Sequence, residues 1–404
     1  MGDFPSFALA KFKPVELAPP VAQRFTLEVS ADAFFKAHCL LNNIEDKAAR
    51  AAAKDMVRQK FDKYAVSTDH IKRRQLIFFP RREEISFHDG ELSIANPNEA
   101  HLRLFDTEKD PHGARLGLRM EGFAKVADDA FAQMYEDEDA PAPDDLIHVT
   151  CSGYLSPSPA ERLTSMRNWE TTVTHSYHMG CYGAFPAVRM AHGFLASSRC
   201  GVTPPKAQID IAHTELLSAH NNIVDLTAEN IITMTLFSDG LIKYSLCDEA
   251  ELQREGEPGF RILSMHEQVL PGSLDDMTWT PDAEQFKMSL TPMVPIMIKK
   301  HVGAFVAELV ARAGLDPERA YEDMLFAVHP GGPKIVEHVQ DALELTDAQV
   351  AVSRDVLRTR GNMSSATIPT ILSRLLEEAS VGQKVVAIGF GPGLTATGMT
   401  LQRV

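Results

Sequence analysis

The chain has 404 residues, of which 44% are hydrophobic and 24% are charged, and its formal net charge is −15. This length predicts two domains or one duplicated fold, because a single core rarely grows so large. The acidic balance argues against a dedicated nucleic-acid-binding protein, which is more often basic. The sequence has no run of 18 apolar residues, and its first twenty residues lack the apolar core and basic start of a secretion signal. We therefore expect a cytoplasmic protein without a membrane span.

The cysteines predict neither a disulfide framework nor a metal cluster. They are five in number, widely spaced, and include no C-x-x-C pair: Cys39, Cys151, Cys181, Cys200 and Cys247. Structural zinc sites and small disulfide-rich folds need closely spaced or paired cysteines. This pattern is typical of a protein from a reducing compartment, and we expect no bound metal.

The first half of the chain predicts a mixture of helices and strands. Residues 1–24 are predicted to be an extended, Pro-containing lead-in, and an acidic, Pro-broken loop is predicted within 125–147. Helices are predicted from apolar positions at helical spacing, and strands from short apolar runs. The predicted helices span 30–64 and 158–172, and the predicted strands fall within 146–159, 175–181, 207–217 and 230–247.

A change in composition near residues 248–258, DEAELQREGEP, predicts a boundary between two halves, 1–250 and 251–404. The second half predicts a long helix over 293–314 that ends at a glycine. A strand running into a Gly turn follows at 324–332. Helices are predicted at 334–345 and 366–380, and a strand, a Gly-rich loop and a last strand are predicted over 381–404.

Three polar residues lie in turn motifs next to apolar runs. They are Cys181 in M-G-C-Y-G, His329 in V-H-P-G-G-P and Asn362 in G-N-M-S-S-A. Taken singly, such a cysteine is more often a buried apolar residue, such a histidine a surface or capping group, and such an asparagine a turn residue. Together they supply a nucleophile, a proton carrier and an oxyanion donor for chemistry on a thioester. A helix start and a nearby imidazolium are expected to lower the pKa of Cys181.

The chain resembles the type III polyketide synthases, the chalcone-synthase-like group of the thiolase superfamily. The resemblance rests on HPGGP at 329–333, GNMSSA at 361–366 and GFGPGLT at 389–395, in this order after the M-G-C motif. LFSDG at 236–240 fits as a fourth motif. The resemblance covers about residues 50–404, and the first fifty residues add little to it.

The resemblance implies an α/β thiolase fold of five layers, α-β-α-β-α, built from two similar halves. It implies an acyltransferase in which Cys181 is acylated by an acyl-CoA starter and extended by decarboxylative condensation with malonyl-CoA. His329 would stabilise the thioester oxyanion, and Asn362 would help to stabilise the malonyl enolate. Release or cyclisation would give a pyrone, a resorcinol or a related product. The resemblance also implies a homodimer, coenzyme A thioesters as substrates and no tightly bound cofactor.

Further positions match substrate-binding residues of this family. Lys60 and Lys63 match a phosphate clamp for coenzyme A whose third member is Ser67 here, and Lys334 is another candidate. Ordinary solvated lysines are the alternative. Phe237 matches a gatekeeper aromatic, with a core Phe as the alternative, and the second gatekeeper aligns near Met288. The remaining candidates line the implied cavity: His220, where chalcone synthases have a small Thr, and Ser364, Phe390, Gly391 and Cys151. Cys151 is also open to interpretation as a buried spectator.

Two other functions remain open. One is a ketoacyl-synthase-III-like enzyme that condenses or transfers once and takes its acyl groups from an acyl carrier protein. The other is an inactive subunit of a larger condensing enzyme, against which the intact Cys-His-Asn set argues. The Gly-rich segment at 389–393 lies between two predicted strands, so it does not fit a dinucleotide-binding turn.

Overall fold

The computed structural model describes residues 6–88, 91–94, 104–105, 110–317 and 320–404. Its strands are β1 Phe7–Val15, β2 Val21–Ala22, β3 Arg73–Arg74, β4 Ile85–His88, β5 Glu91–Ile94, β6 Asp145–Thr150, β7 Thr172–Tyr177, β8 Gln208–Glu215, β9 Gly240–Asp248, β10 Gly259–Val269, β11 Met277–Pro281, β12 Phe286–Leu290, β13 Leu325–Val328, β14 Lys384–Gly391 and β15 Thr395–Arg403. Its α-helices are α1 Gln23–Leu41, α2 Lys47–Tyr64, α3 Leu116–Met134, α4 Pro159–Met166, α5 Ala184–Arg199, α6 Ala228–Leu236, α7 Glu249–Glu255, α8 Met293–Arg312, α9 Pro333–Ala342, α10 Asp347–Arg360 and α11 Thr367–Glu378.

The main sheet contains the same strand arrangement in each half of the chain. Its order is β13-β14-β15-β10-β1-β9-β8-β6-β7. In the first half β6 runs parallel to β8, β8 antiparallel to β9, and β9 antiparallel to β1. In the second half β13, β14, β15 and β10 repeat these three relations in the same order. The two arrays meet where β1 pairs with β10 over Ala8–Ala10. This repetition supports the division near residue 250, within α7, which we propose as the boundary between the halves.

Strand residues alternate between an inner and an outer helix layer. Val149 of β6 and Ala387 of β14 belong to the core cluster that includes Leu195 of α5 and Ile371 of α11. Both halves therefore bury one face of their strands against a shared central pair of helices, α5 and α11. Because successive strand residues point to opposite faces, their neighbours must pack on the other side.

Two outer helix layers, formed by α3 and α8, complete a fold of five layers. Leu146 of β6 packs in the cluster that contains Phe131 of α3, and Val386 of β14 packs in the cluster that contains Val306 of α8. The layer order is thus α3, the first-half strands, α5 with α11, the second-half strands, and α8. This is the five-layered α-β-α-β-α arrangement expected from the sequence. No helix among the described residues is long and apolar enough to cross a membrane.

Two predicted elements were wrong. The run at 230–247 was predicted as strands, but its first part forms α6, where Thr227 caps the helix by accepting a hydrogen bond from the backbone N–H of Asn230. Ile231 and Thr235 of α6 are buried one helical turn apart, so tertiary packing overrides the strand preference of β-branched residues. The lead-in predicted for 1–24 contains β1, an internal strand of the main sheet, and the beginning of α1.

Candidate active site

Cys181 lies in a short 3₁₀ turn, Gly180–Tyr182, immediately before α5. Gly180 has a φ of +72°, and a Cβ there would lie 2.6 Å from Cδ of Pro392, so this turn requires glycine. Cys181 is buried, and burial raises the pKa of its thiol to about 12, against the opposing effect of the neighbouring Ser364 hydroxyl and Asn362 amide. This shift is opposite to the one expected from a helix start, because the loss of hydration on burial is its largest cause.

Asn362 is fixed by its own backbone and by one side-chain hydrogen bond. Its N–H donates to the carbonyl of Leu236 at 3.1 Å, and its carbonyl accepts from the N–H of Ser238 at 2.8 Å. Its side-chain Oδ1 accepts from the N–H of Ser364 at 2.9 Å. The Nδ2 group is buried, and none of the residues that the structure describes is its hydrogen-bond partner. The structure therefore presents an amide donor whose direction is set and whose acceptor is missing.

His329 follows β13 at the point where the chain turns toward α9. Its backbone N–H donates to the carbonyl of Ile388 on β14 at 2.9 Å, which holds it beside the Gly-rich end of that strand. A Cβ at Gly391 would lie 2.2 Å from Cδ1 of Tyr182, so this strand end packs directly on the Cys181 turn. Both ring nitrogens of His329 are buried and have no hydrogen-bond partner among the described residues. Burial lowers the pKa of the imidazole to about 3, so it is neutral at physiological pH.

A second buried polar cluster surrounds Glu215 at the end of β8. Its Oε2 accepts from the backbone N–H of Cys151 at 3.0 Å, from Sγ of Cys151 at 3.3 Å and from Oγ of Ser152 at 3.1 Å. Its Oε1 accepts from Ser365 Oγ. Cys151 Sγ also lies 3.0 Å from Oγ of Ser364, which links this cluster to Cys181. Burial raises the pKa of the Glu215 carboxyl.

A pocket opens beside α6. We name it the entrance pocket and define it by the predicted residues Phe237, His220 and Met288, which it brings together, and by Trp279 and Phe286. The His220 ring stacks on Phe286 with centroids 4.5 Å apart and meets Trp279 edge-on at 5.8 Å. This wall of three rings takes up space that a small residue at position 220 would leave open.

The His220 side chain is held on both ring nitrogens. Its Nδ1 accepts from the backbone N–H of Phe286 at 3.1 Å, and its Nε2 lies 2.7 Å from the carbonyl of Ser152. Since Nδ1 accepts, Nε2 carries the proton and donates. Burial lowers the pKa of His220 to about 3, so the ring is a neutral, fixed part of the wall. Trp279 Nε1 donates to the carbonyl of Cys151 at 2.6 Å, which ties the wall to the Glu215 cluster.

The candidate phosphate-binding residues are in different environments. Lys60 Nζ donates to the carbonyl of Leu226 at 3.0 Å, next to Asp225 and Thr227, which line the entrance pocket. Lys63 is exposed, with its ammonium 5.0 Å from the ring centre of Tyr64. Ser67 lines a separate groove between α1 and α2, and Lys334 is exposed in the first turn of α9. Of these four candidates, Lys60 alone has a described hydrogen bond to a segment that lines the entrance pocket.

Sequence reasoning missed Glu215, Trp279 and Ser365. Glu215 ends β8, a strand of almost entirely buried residues, and its signal was an acidic side chain in that run, as at Asp210. Charged residues are rarely buried without partners. The role of Trp279 depends on the packing of the β11–β12 hairpin and has no local signal.

Two predicted cavity residues lie on β14, where Phe390 is buried in the strand that also carries Gly391. Among the residues that the structure describes, no group of three or more His, Cys, Asp or Glu side chains could hold a metal ion.

Comparisons with known proteins find polyketide synthases among the relatives of this chain. A family model described as the C-terminal domain of chalcone and stilbene synthases matches residues 261–404. The type III polyketide synthase pspB of Penicillium soppii is 30% identical over 290 residues, which cover 64% of this chain and 70% of that protein. The 1,3,6,8-tetrahydroxynaphthalene synthase of Streptomyces coelicolor is 28% identical over 257 residues, which cover 63% of this chain and 64% of the synthase.

Solved structures share the fold over nearly the whole chain. The C-terminal type III polyketide synthase domain of Steely1, a type I/III hybrid from Dictyostelium, superposes with a TM-score of 0.76 at 21% identity and covers 99% of this chain and 100% of that one. The Streptomyces coelicolor tetrahydroxynaphthalene synthase superposes with a TM-score of 0.70 at 20% identity and covers 98% of this chain and 99% of that one.

Proposed function

Because this chain belongs to the type III polyketide synthase family, a family of polyketide-forming acyltransferases with the thiolase fold, we propose that Cys181 is the residue that carries the acyl chain. The observation that supports this role is the set of three buried nitrogens without partners: both ring nitrogens of His329 and Nδ2 of Asn362. Buried polar groups in folded proteins are nearly always paired, so an unpaired set beside a buried thiol points to a substrate oxygen.

The loading step follows from the neutral forms of Cys181 and His329. The high pKa of the thiol and the low pKa of the imidazole disfavour a preformed thiolate–imidazolium pair in the free protein. We therefore assign proton transfer from Sγ to the His329 ring to the moment of attack on the acyl-CoA carbonyl. A new thioester bond to Sγ forms, the bond to coenzyme A breaks, and the imidazolium returns its proton to the departing coenzyme A thiolate.

The extension step uses the two donors together. Loss of CO₂ from malonyl-CoA leaves an enolate, whose negative oxygen accepts hydrogen bonds from His329 and from Asn362 Nδ2. The enolate carbon attacks the acyl carbonyl on Cys181. A carbon–carbon bond forms, the bond to Sγ breaks, and the lengthened chain leaves on coenzyme A.

Acyl-CoA and malonyl-CoA are the proposed substrates, with the pantetheine arm in the entrance pocket. Phe237 lies at the inner end of α6, and its backbone forms an isolated bridge with that of Asn362, so the pocket wall and the reacting centre share this short segment. Lys60 and the exposed Lys63 are the proposed phosphate contacts. The ring wall of His220, Trp279 and Phe286 favours slender starters. We further propose a homodimer that acts in the cytoplasm and takes its acyl groups from coenzyme A rather than from a carrier protein.

Decarboxylation and condensation can be tested separately. Purified protein is incubated with carboxyl-labelled malonyl-CoA and a panel of acyl-CoA starters, with released CO₂ and products measured by scintillation counting and mass spectrometry. We expect CO₂ and a lengthened product from the native chain, and CO₂ without condensation from Cys181→Gln. Cys200→Ala is the matched control, because that cysteine is exposed and lies at the end of α5 opposite to the Cys181 turn. Activity only with carrier-bound acyl groups would contradict the proposed substrates.

A further inference from the structure

Two arginines are among the largest fully buried side chains of the protein. Arg74 is 1% exposed and Arg119 is 0% exposed. Within the described part of the chain, neither takes part in an ion pair. The carboxylates of Asp239 and Glu284 act on Arg74 and Arg119, respectively, only as charges that raise the guanidinium pKa. Burying a guanidinium without a bonded carboxylate is expensive, so their hydrogen-bond partners must account for their retention.

Arg74 binds the end of α6. One terminal nitrogen, Nη1, donates to the carbonyls of Met234 at 2.8 Å and Phe237 at 2.5 Å, and both of these residues line the entrance pocket. Its Nε donates to Gln23 Oε1 at 2.8 Å and its Nη2 to Thr26 Oγ1 at 3.1 Å, which attaches this segment to α1. Carbonyls at a helix C-terminus lack intrahelical partners, and a cation there also interacts favourably with the helix dipole.

The same segment holds Asn362. The N–H of Ser238 donates to the carbonyl of Asn362, and the N–H of Asn362 donates to the carbonyl of Leu236. A Cβ at Gly361 would lie 2.9 Å from Cγ of Arg74, so the Arg74 side chain lies directly behind this backbone. Any movement of the Phe237 segment is therefore transmitted to Asn362.

Arg119 binds a different part of the wall. Its Nη1 donates to the carbonyls of Ala219 at 2.7 Å and Asn221 at 3.0 Å, which flank His220. Its Nε donates to the carbonyl of Ala114 at 2.7 Å and its Nη2 to that of His112 at 3.0 Å. Arg119 thus supports the His220 side of the pocket as Arg74 supports the Phe237 side.

We propose that Arg74 and Arg119 are positioning residues that hold two stretches of the entrance-pocket wall, and that Arg74 also sets the direction of Asn362. This inference rests on the proposed function, because it assigns the pocket to the incoming thioester. A guanidinium presents five donors in a rigid plane, whereas a lysine ammonium presents three at one point. Lysine at either position therefore cannot satisfy carbonyls that lie in different directions.

The test compares Arg74→Lys, Arg74→Met, Arg119→Lys and Arg119→Met. For the Arg74 variants we expect CO₂ release from malonyl-CoA to fall about 10- to 100-fold in kcat, since small displacements of a catalytic group have effects of this size. For the Arg119 variants we expect the main effect on KM for the acyl-CoA starter, a rise of roughly 10-fold that depends on starter length. Val339→Ala, a substitution at a buried position of α9, is the control for a general loss of stability. We expect this variant to keep the native values of kcat and of KM.

A turnover-independent measurement separates this proposal from the proposed function. The chain has two tryptophans, so Trp169→Phe leaves Trp279 of the entrance pocket as the only one. We expect acrylamide quenching of Trp279 to increase at least about twofold in the folded Lys variants, whether or not the protein accepts any coenzyme A ester. If the Met variants do not fold, the Lys variants carry the test. Folded Lys variants with native quenching and native kinetic constants would overturn the proposal.

Discussion

The molecule contains two buried polar clusters side by side, and they differ in how their hydrogen bonds are satisfied. Around Glu215, both carboxylate oxygens accept hydrogen bonds from neighbouring donors. At His329 and Asn362, beside the Cys181 turn, three buried nitrogen atoms have no hydrogen-bond partner within the part of the chain that the structure describes. A network whose hydrogen bonds are all formed stabilises one arrangement of the fold, whereas unpaired buried donors can bind a ligand. The Glu215 cluster is thus a structural network, and the other cluster is the one that we propose binds a reacting oxygen.

The largest expected effect comes from removing one unpaired donor. Asn362→Asp keeps the oxygen that accepts from Ser364 and replaces Nδ2–H₂ with an oxygen. We expect CO₂ release from malonyl-CoA to fall about 10²- to 10³-fold, the range typical of a lost oxyanion donor. Labelled CO₂ is the measurement, with circular dichroism to establish that the variant is folded. Retention of native decarboxylation would show that this nitrogen does not serve the enolate.

The next effect is expected on stability rather than on chemistry. Glu215→Gln places an amide N–H₂ against donors such as Ser152 Oγ and the Cys151 N–H. We expect the free energy of unfolding in urea to fall by about 1–3 kcal/mol, the usual penalty for unsatisfied buried groups. Glu377→Gln, at an exposed position of α11, is the control and should change this free energy by less than about 0.5 kcal/mol. If the two variants had equal free energies of unfolding, the Glu215 cluster would not be a network that stabilises the fold.

The reactivity of Cys181 toward iodoacetamide should depend steeply on pH. Burial raises its thiol pKa to about 12, so the protonated form dominates throughout the range from pH 6 to 9. The reactive thiolate fraction, and with it the alkylation rate, should rise about tenfold for each pH unit. Peptide mapping by mass spectrometry separates Cys181 from the exposed Cys200. A rate that levels off near pH 7 would instead indicate a preformed thiolate–imidazolium pair.

The smallest effect is expected for Cys151→Ser. A hydroxyl can replace the thiol between Glu215 Oε2 and Ser364 Oγ with similar donor and acceptor geometry. We expect acyl loading and CO₂ release to fall by less than about threefold, because this residue belongs to the paired cluster. Loss of loading by a factor of a hundred would assign Cys151 to the reacting centre.

The proposed reacting centre has a clearer signal in the sequence than its surroundings have, for a physical reason. Cys181, His329 and Asn362 lie in turns whose Gly and Pro residues leave a local pattern. The hydrogen bonds of Glu215 come from donors about 60 and 150 residues away along the chain, and the position of Trp279 depends on the folding back of a hairpin. No local pattern therefore shows what either side chain contacts.

The errors have similar causes. The apolar, β-branched sequence of α6 suits a strand locally, and only its packing makes it helical. The pKa of Cys181 depends on burial, which the motif around it does not encode. The position of β1 between β9 and β10 is likewise a property of the assembled sheet, and the short extended run at 7–15 gave no sign of it.

Intact-protein mass spectrometry after incubation with an acyl-CoA shows whether Cys181 carries the acyl chain. We expect a mass increase of one acyl group per chain, mapped to the peptide that contains Cys181. The increase should be absent in Cys181→Ala and retained in Cys151→Ser. Acylation that persists in Cys181→Ala, or that maps to Cys151 in the native chain, would show that Cys181 is not the attachment point.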